Sequence, residues 1–161
     1  MDWIVNFILG ILPFLSNFIK VEIPLEFGFL SNNKIFDELS LPVGHPLNLI
    51  TFRFRNNKKT TVTGVSYEIR IYRPLVLSST GSAIRYTDII GDKIKHSQSE
   101  DNSYYWIHQP KLDIGGHRAA NLQVELNTEN ITPGTYRIEI DCQTTLREYK
   151  YKRKRLALKI S

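Results

Sequence analysis

The residues able to do nucleophilic, acid–base or metal chemistry are few and scattered. Histidines stand at 45, 96, 108 and 117, and the one cysteine is Cys142. No two of the histidines have the spacing by which a helix offers two imidazoles to one zinc ion, and a single thiol cannot complete a Cys/His set. No metal site and no cofactor are expected. The chain has no G-x-S-x-G elbow, no phosphate-binding P-loop and no G-x-G-x-x-G turn. Ser82 and Asp88 have no partner that sequence identifies. Cys142 continues the apolar positions Tyr136, Ile138 and Ile140 at alternate residues, which makes it a small core residue rather than a nucleophile. The chain is not expected to be an enzyme.

The chemistry it does carry is charge. The net charge is +5 and it is unevenly placed. Residues 21–50 sum to −3, residues 51–60 to +4 and residues 141–161 to +5. Arg53, Arg55, Lys58, Lys59, Lys150, Lys152, Arg153, Lys154 and Arg155 form the candidate set for an anionic surface, either lipid headgroups or nucleic acid. Tyr149 and Tyr151, interleaved with them, suit the headgroup zone, where a ring can keep its hydroxyl wet. The same lysines and arginines would also guard an exposed strand edge against pairing. One cysteine permits no intrachain disulfide, which suits a reducing compartment.

The run MDWIVNFILGILPFLSNFI carries one charged side chain, Asp2, before Lys20. On a helix, Asp2, Asn6, Gly10, Pro13, Asn17 and Lys20 fall on one face. The rest is apolar: Trp3, Ile4, Phe7, Ile8, Ile11, Leu12, Leu15, Phe18 and Ile19. Residues 1–20 are thus expected to be an N-terminal hydrophobic helix, a membrane anchor kinked at Pro13. Its seventeen residues from Trp3 to Ile19 sit at the short end of the about 17–25 that span a bilayer. Lying flat in the headgroups, or packing on the rest of the chain, are the alternatives. Asn6, Gly10 and Asn17 would let two such helices approach and associate. The acidic start does not resemble a secretory signal peptide. Lys20 and Lys34 beyond the helix place the remainder on the cytoplasmic side by the positive-inside bias.

Residues 21–161 alternate with period two. Val21, Ile23, Leu25, Phe27 and Phe29 oppose Glu22, Pro24, Glu26 and Gly28. Ile50, Phe52 and Phe54 oppose Thr51, Arg53 and Arg55. Val65, Tyr67, Ile69 and Ile71 oppose Ser66, Glu68, Arg70 and Tyr72. Leu122, Val124 and Leu126 form a further inward row. Tyr136, Ile138, Ile140 and Cys142 form the next, and Leu156, Leu158 and Ile160 the last. With weaker candidates at 84–90 and 103–108, this predicts one all-β antiparallel sandwich. SSTGS (78–82), residues 91–101 and DIGGH (113–117) read as loops.

The stretch from Leu126 through Pro133-Gly134 to Tyr136 and Ile138 resembles the E–F corner of immunoglobulin-like and fibronectin III-like domains, where a turn delivers a strand opening on tyrosine. The resemblance implies that the Tyr136 hydroxyl ties back to nearby backbone. Ile138 stands where the disulfide-bearing branch has cysteine. In such a sandwich the loop 56–60 and the stretch 143–155 lie at the end where the first strand begins, so the anchor would enter at the basic end. The function expected is a membrane-anchored, non-enzymatic binding or assembly module. Its partners would be anionic membrane lipid, an unidentified protein, and a second copy through the helix. Alternatives are an extracytoplasmic adhesion or ligand-binding domain on the same anchor, and a soluble polyanion binder, with nucleic acid the less favoured ligand, whose first helix is buried.

Overall fold

The computed structural model describes residues 21–77, 84–87 and 95–161. The expected helix of residues 1–20, with its anchor residues Trp3 to Ile19 and its association residues Asn6, Gly10 and Asn17, lies outside the described residues. Among the described residues no helix is long and apolar enough to cross a membrane. The elements are all strands: β1 (Val21–Glu22), β2 (Leu25–Ser31), β3 (Lys34–Phe36), β4 (Glu38–Leu41), β5 (Asn48–Asn56), β6 (Val62–Tyr72), β7 (Val76–Leu77), β8 (Ile84–Thr87), β9 (Lys95–Gln98), β10 (Tyr104–Ile114), β11 (Ala119–Asn127), β12 (Gly134–Gln143), β13 (Tyr149–Lys150) and β14 (Lys152–Ile160).

Two sheets form. The first runs β3-β2-β5-β11-β7, with β8 also paired to β11, and the second runs β4-β14-β12-β6-β10-β9. Pairing is antiparallel except for β4 on β14 and β1 on β13. Alternation dictates this arrangement: each strand buries every second side chain between the sheets. Phe27, Phe29, Phe52 and Phe54 from the first sheet meet Tyr67, Ile69, Ile71, Ile138, Ile140 and Leu158 from the second, all at or below 1% exposure. The ring of Phe54 stacks on Tyr67 at 3.9 Å between centroids and packs beside Phe27 at 5.7 Å, joining the sheets through the middle of the core. Cys142 is buried in the same layer.

The corner at Pro133-Gly134 has the expected chemistry, since the Tyr136 hydroxyl donates to the Thr132 carbonyl. Other expectations change. Val21 is 55% exposed and does not join the inward row that starts at Ile23. Pro24, lacking an N–H, separates β1 from β2. Within 91–101, Lys95–Gln98 is strand β9, an edge strand on β10. The stretch 143–155 is not one loop: the connection is 144–148, and Lys152 to Arg155 pair with Cys142 to Glu139 inside the second sheet. The β2–β3 hairpin and β4 were not foreseen. Their turn is Asn32-Asn33, both left-handed (φ 47° and 60°), the conformation that lets a two-residue turn follow the twist of its strands.

Candidate functional site

At the end of the sandwich where the described chain begins, several segments are tied into one surface. Its organiser is Asn56, wholly buried as the last residue of β5. Its side-chain amide donates to the carbonyls of Thr60 (2.8 Å), Ile114 (2.9 Å) and Gly115 (3.1 Å). Its oxygen accepts from the Lys58 N–H at 2.9 Å. One side chain thereby fixes the loop 57–61 against the turn 115–118. The His117 N–H donates to the Lys58 carbonyl at 2.9 Å, and a Cβ on Gly116 would stand 1.8 Å from the Lys59 carbonyl oxygen, so only glycine permits this approach. The connection 144–148 joins through Thr144, whose hydroxyl donates to the Thr63 carbonyl at 2.6 Å, and through the Thr145 N–H on Gly64.

The start of the described chain is zipped into the same surface. The Val21 N–H donates to Glu148 O at 2.9 Å, and β1 runs parallel to β13 with Val21 opposite Tyr149 and Glu22 opposite Lys150. The Lys58 ammonium lies 5.6 Å from the centre of the Tyr149 ring and 3.4 Å from its hydroxyl. The connections at this end carry Lys58, Lys59, Arg118 and Arg147 against Glu148. At the far end the described connections 42–47, 73–75, 99–103 and 128–133 carry Arg73 against Glu100, Asp101 and Glu129. The described connections are therefore basic at one pole and acidic at the other.

The nine basic residues singled out in the sequence fall into separate groups. Lys58, Lys59 and Lys150 gather at the basic pole, where Lys59 and Lys150 make no side-chain bond among the described residues. Arg147, outside that set, joins them. Arg53 and Arg55 lie on the outer face of the first sheet. Arg53 donates to Asn121 (2.9 Å) and Asn33 (2.6 Å), and Arg55 pairs with Glu26. Lys152 and Lys154 turn toward the first sheet, where their ammoniums donate to the β2 carbonyls of Leu25 (3.3 Å) and Phe27 (2.8 Å). The same ammoniums stand over the Phe27 ring, 5.6 and 5.9 Å from its centre. They close the stretch of β2 that β3 leaves unpaired, in the manner of inward-pointing charges that protect an edge. Arg153 and Arg155 lie on the outer face of the second sheet, on Asp141 (2.7 Å) and Glu139 (3.1 Å).

That outer face holds a network the sequence did not disclose. Glu139 is 2% exposed and accepts from Tyr72 (2.9 Å), Arg137 and Arg155. Burial pushes its carboxyl up, but these hydrogen bonds outweigh burial and hold it below the usual carboxylate range. Asp141 behaves alike: burial raises it, and Arg153, Tyr151 and Arg70 together bring it down. Arg70 bridges Glu68 and Asp141, the latter at 3.1 Å. Of the other chemically able residues, His45 and His117 sit in exposed connections at opposite ends, and His108 stands on β10. Among the described residues no group of three or more His, Cys, Asp or Glu could hold a metal ion. Burial pushes the Cys142 thiol up to about 12.

No protein-family model matches the chain, and no curated protein matches it. Among solved structures it is similar to BslA, a bacterial hydrophobin, with a TM-score of 0.55 at 13% identity, over 88% of this chain and 96% of that one. It is also similar to ACE19, the collagen-binding subdomain of the Enterococcus faecalis surface protein ACE (TM-score 0.45, 8% identity, 88% of this chain and 98% of that one). A third likeness is to a family 123 glycoside hydrolase from Clostridium perfringens (TM-score 0.47, 11% identity, 86% of this chain), of which this chain spans 27%. At 13% identity the likeness to BslA is one of fold alone, and it is consistent with the β-sandwich.

Proposed function

We propose that the chain is a membrane-anchored, non-enzymatic module for binding or assembly. In this reading residues 1–20 are the anchor helix, and residues 21–161 are an immunoglobulin-like sandwich that meets the bilayer basic pole first, on the cytoplasmic side. The observation that carries the reading is the pairing of β1 with β13. It supports the reading because Val21, to which residues 1–20 would connect, lies opposite Tyr149, with Lys150 opposite Glu22 and Lys58 over the Tyr149 ring. A lysine or arginine near an anionic leaflet contributes about 1 kcal/mol, within a Debye length of about 8–10 Å. Three or four such residues would offset the weakness of a short helix interrupted by Pro13. Tyr149, half-buried under Lys58, supplies a ring for the headgroup zone. Lys152 and Lys154 contribute to closing the sheet edge rather than to the lipid-facing charge. Asn6, Gly10 and Asn17 would serve contact between two anchors. The far, acidic pole and the sheet faces are then left free for a protein partner.

The test is flotation of the full chain with liposomes. The chain is expected to float with neutral vesicles and to float more completely with anionic ones. Raised salt should remove the anionic gain and leave the basal binding. A chain that stays with the soluble fraction under both compositions would refute the anchor. Equal flotation with both compositions at low salt would refute the role of the basic pole.

A further inference from the structure

On the outer face of the second sheet, beside the connection that carries Lys150, a cavity of about 280 Å³ opens between β10, β6, β12 and the start of β14. Its floor is one row of residues in register across four strands: His108 faces Glu68, Glu68 faces Asp141, and Asp141 faces Arg153. Ser66 lies in the next row, and Tyr151 stands at the rim, 49% exposed, with its hydroxyl donated to Asp141.

The charges in this wall cancel. Arg70 is bonded to Glu68 and Asp141, and Arg153 grips Asp141 with two nitrogens at 2.7 and 3.0 Å. Two guanidiniums face two carboxylates, so an ionic ligand would lose its hydration without meeting a spare counter-charge. What the wall leaves uncommitted is an imidazole nitrogen and a hydroxyl. His108 Nδ1 is buried and has no hydrogen-bond partner. Ser66 is 8% exposed, and its hydroxyl makes no bond among the described residues. A buried atom such as His108 Nδ1 is rarely left unsatisfied in a folded protein, whereas the Ser66 hydroxyl is open to solvent or a ligand. Each can donate or accept in its neutral form, as can an alcohol group. The His108 ring lies parallel to Trp106, 5.2 Å away with 5° between their planes, so it is held as a fixed plate rather than a free rotor. A fixed plate, an aromatic rim and two amphoteric polar atoms suit a ring that has an apolar face and a hydroxylated edge.

We propose that this cavity is a binding site for a neutral, polyhydroxylated ligand, a saccharide unit, with Ser66 and His108 bonding its hydroxyls and Tyr151 flanking its ring. The site is lined by none of Lys58, Lys59, Arg147 or Lys150, so it stands or falls separately from the membrane reading.

The test titrates the full chain, in micelles of a phosphocholine detergent that carries no sugar headgroup, with maltotriose, cellotriose and chitotriose. Side-chain NMR signals of His108 and Tyr151 are followed, with inorganic phosphate as the ionic probe. At least one trisaccharide is expected to saturate these signals with a Kd at or below about 1 mM. Ser66→Ala and His108→Phe are each expected to weaken binding about tenfold, equivalent to about 1.4 kcal/mol. Lys59→Ala, at the basic pole, is expected to leave it unchanged. If His108→Phe does not fold, Ser66→Ala alone carries the comparison. The proposal is overturned if no trisaccharide saturates the signals, which would mean that water alone fills the cavity. It is equally overturned if phosphate saturates them, or if the folded variants bind as the native chain does.

Discussion

Asn56→Ala should loosen the whole basic pole. The substitution removes a donor from three carbonyls, those of Thr60, Ile114 and Gly115, and an acceptor from the Lys58 N–H. A buried polar group left unsatisfied costs about 1–3 kcal/mol, and an ordinary lost hydrogen bond about 0.5–1.5 kcal/mol. The bond to Ile114 is buried, and the other three are partly buried and recover some bonding to water. The expected loss is about 2–4 kcal/mol. Urea unfolding of residues 21–161, followed by the fluorescence of Trp106, would show it as a midpoint lower by about 1–2 M. Asn56→Asp sharpens the test. It keeps the acceptor for Lys58 but sets a carboxylate against three carbonyl oxygens, which raises its folded pKa above the unfolded value. The Asp variant should therefore be at its worst at neutral pH and recover as pH falls toward the ordinary carboxylate range, where the protonated group can donate. Two results would refute the reasoning: an Ala variant within about 0.5 kcal/mol of the native chain, or unshifted backbone amides at 58–60 and 115–118.

Three other perturbations follow from the same contacts. Lys152→Met with Lys154→Met leaves the Leu25 and Phe27 carbonyls open; the double variant should lose about 1–2 kcal/mol in urea unfolding and self-associate in sedimentation, where the native fragment does not. Glu139 and Asp141 have folded pKa values below the unfolded ones, so their contribution is present above the ordinary carboxylate range and lost as pH falls through the folded values. Thermal melts should decline with acid below about pH 4, and Asp141→Asn should flatten that decline while lowering the plateau at neutral pH. The Cys142 thiol, buried and pushed up to about 12, should resist a maleimide at pH 8 in the folded chain and react at once in urea, a difference read by mass spectrometry.

The sequence made the core legible because the core obeys one rule. Alternate apolar residues in β5, β6, β11, β12 and β14 point inward as expected, and the turn at Pro133-Gly134 delivers Tyr136 to the Thr132 carbonyl. The immunoglobulin-like topology also led to the expectation that the chain start, the loop 56–60 and the stretch 143–155 share one end, and the structure gathers there the chain start, the loop 57–61 and the connection 144–148. Three things did not follow. For Lys152 and Lys154 the sequence offers both an anionic surface and edge protection, but alternation gives a residue's side of the strand and not the open β2 carbonyls that these long side chains reach. The outer-face network of Glu139, Asp141 and Arg70 depends on the register of β10, β6, β12 and β14, and no periodicity within one strand encodes a register between strands. Asn56 looked like a turn residue beside Asn57, and its role appears only when the turn 115–118 folds over it. The Asn32-Asn33 turn, by contrast, had a readable signal in its paired asparagines.

The central claim, that the basic pole faces the bilayer, is tested most directly by depth. Single spin labels at Asn57→Cys, in the loop of the basic pole, and at Asn130→Cys, at the acidic pole, would be placed in full chains carrying Cys142→Ala and bound to anionic vesicles. Their collisions with a lipid-soluble and a water-soluble relaxant would be compared. The account predicts a headgroup-depth signature at position 57 and a fully aqueous one at position 130; equal aqueous exposure at both positions, or the reverse order, would contradict it.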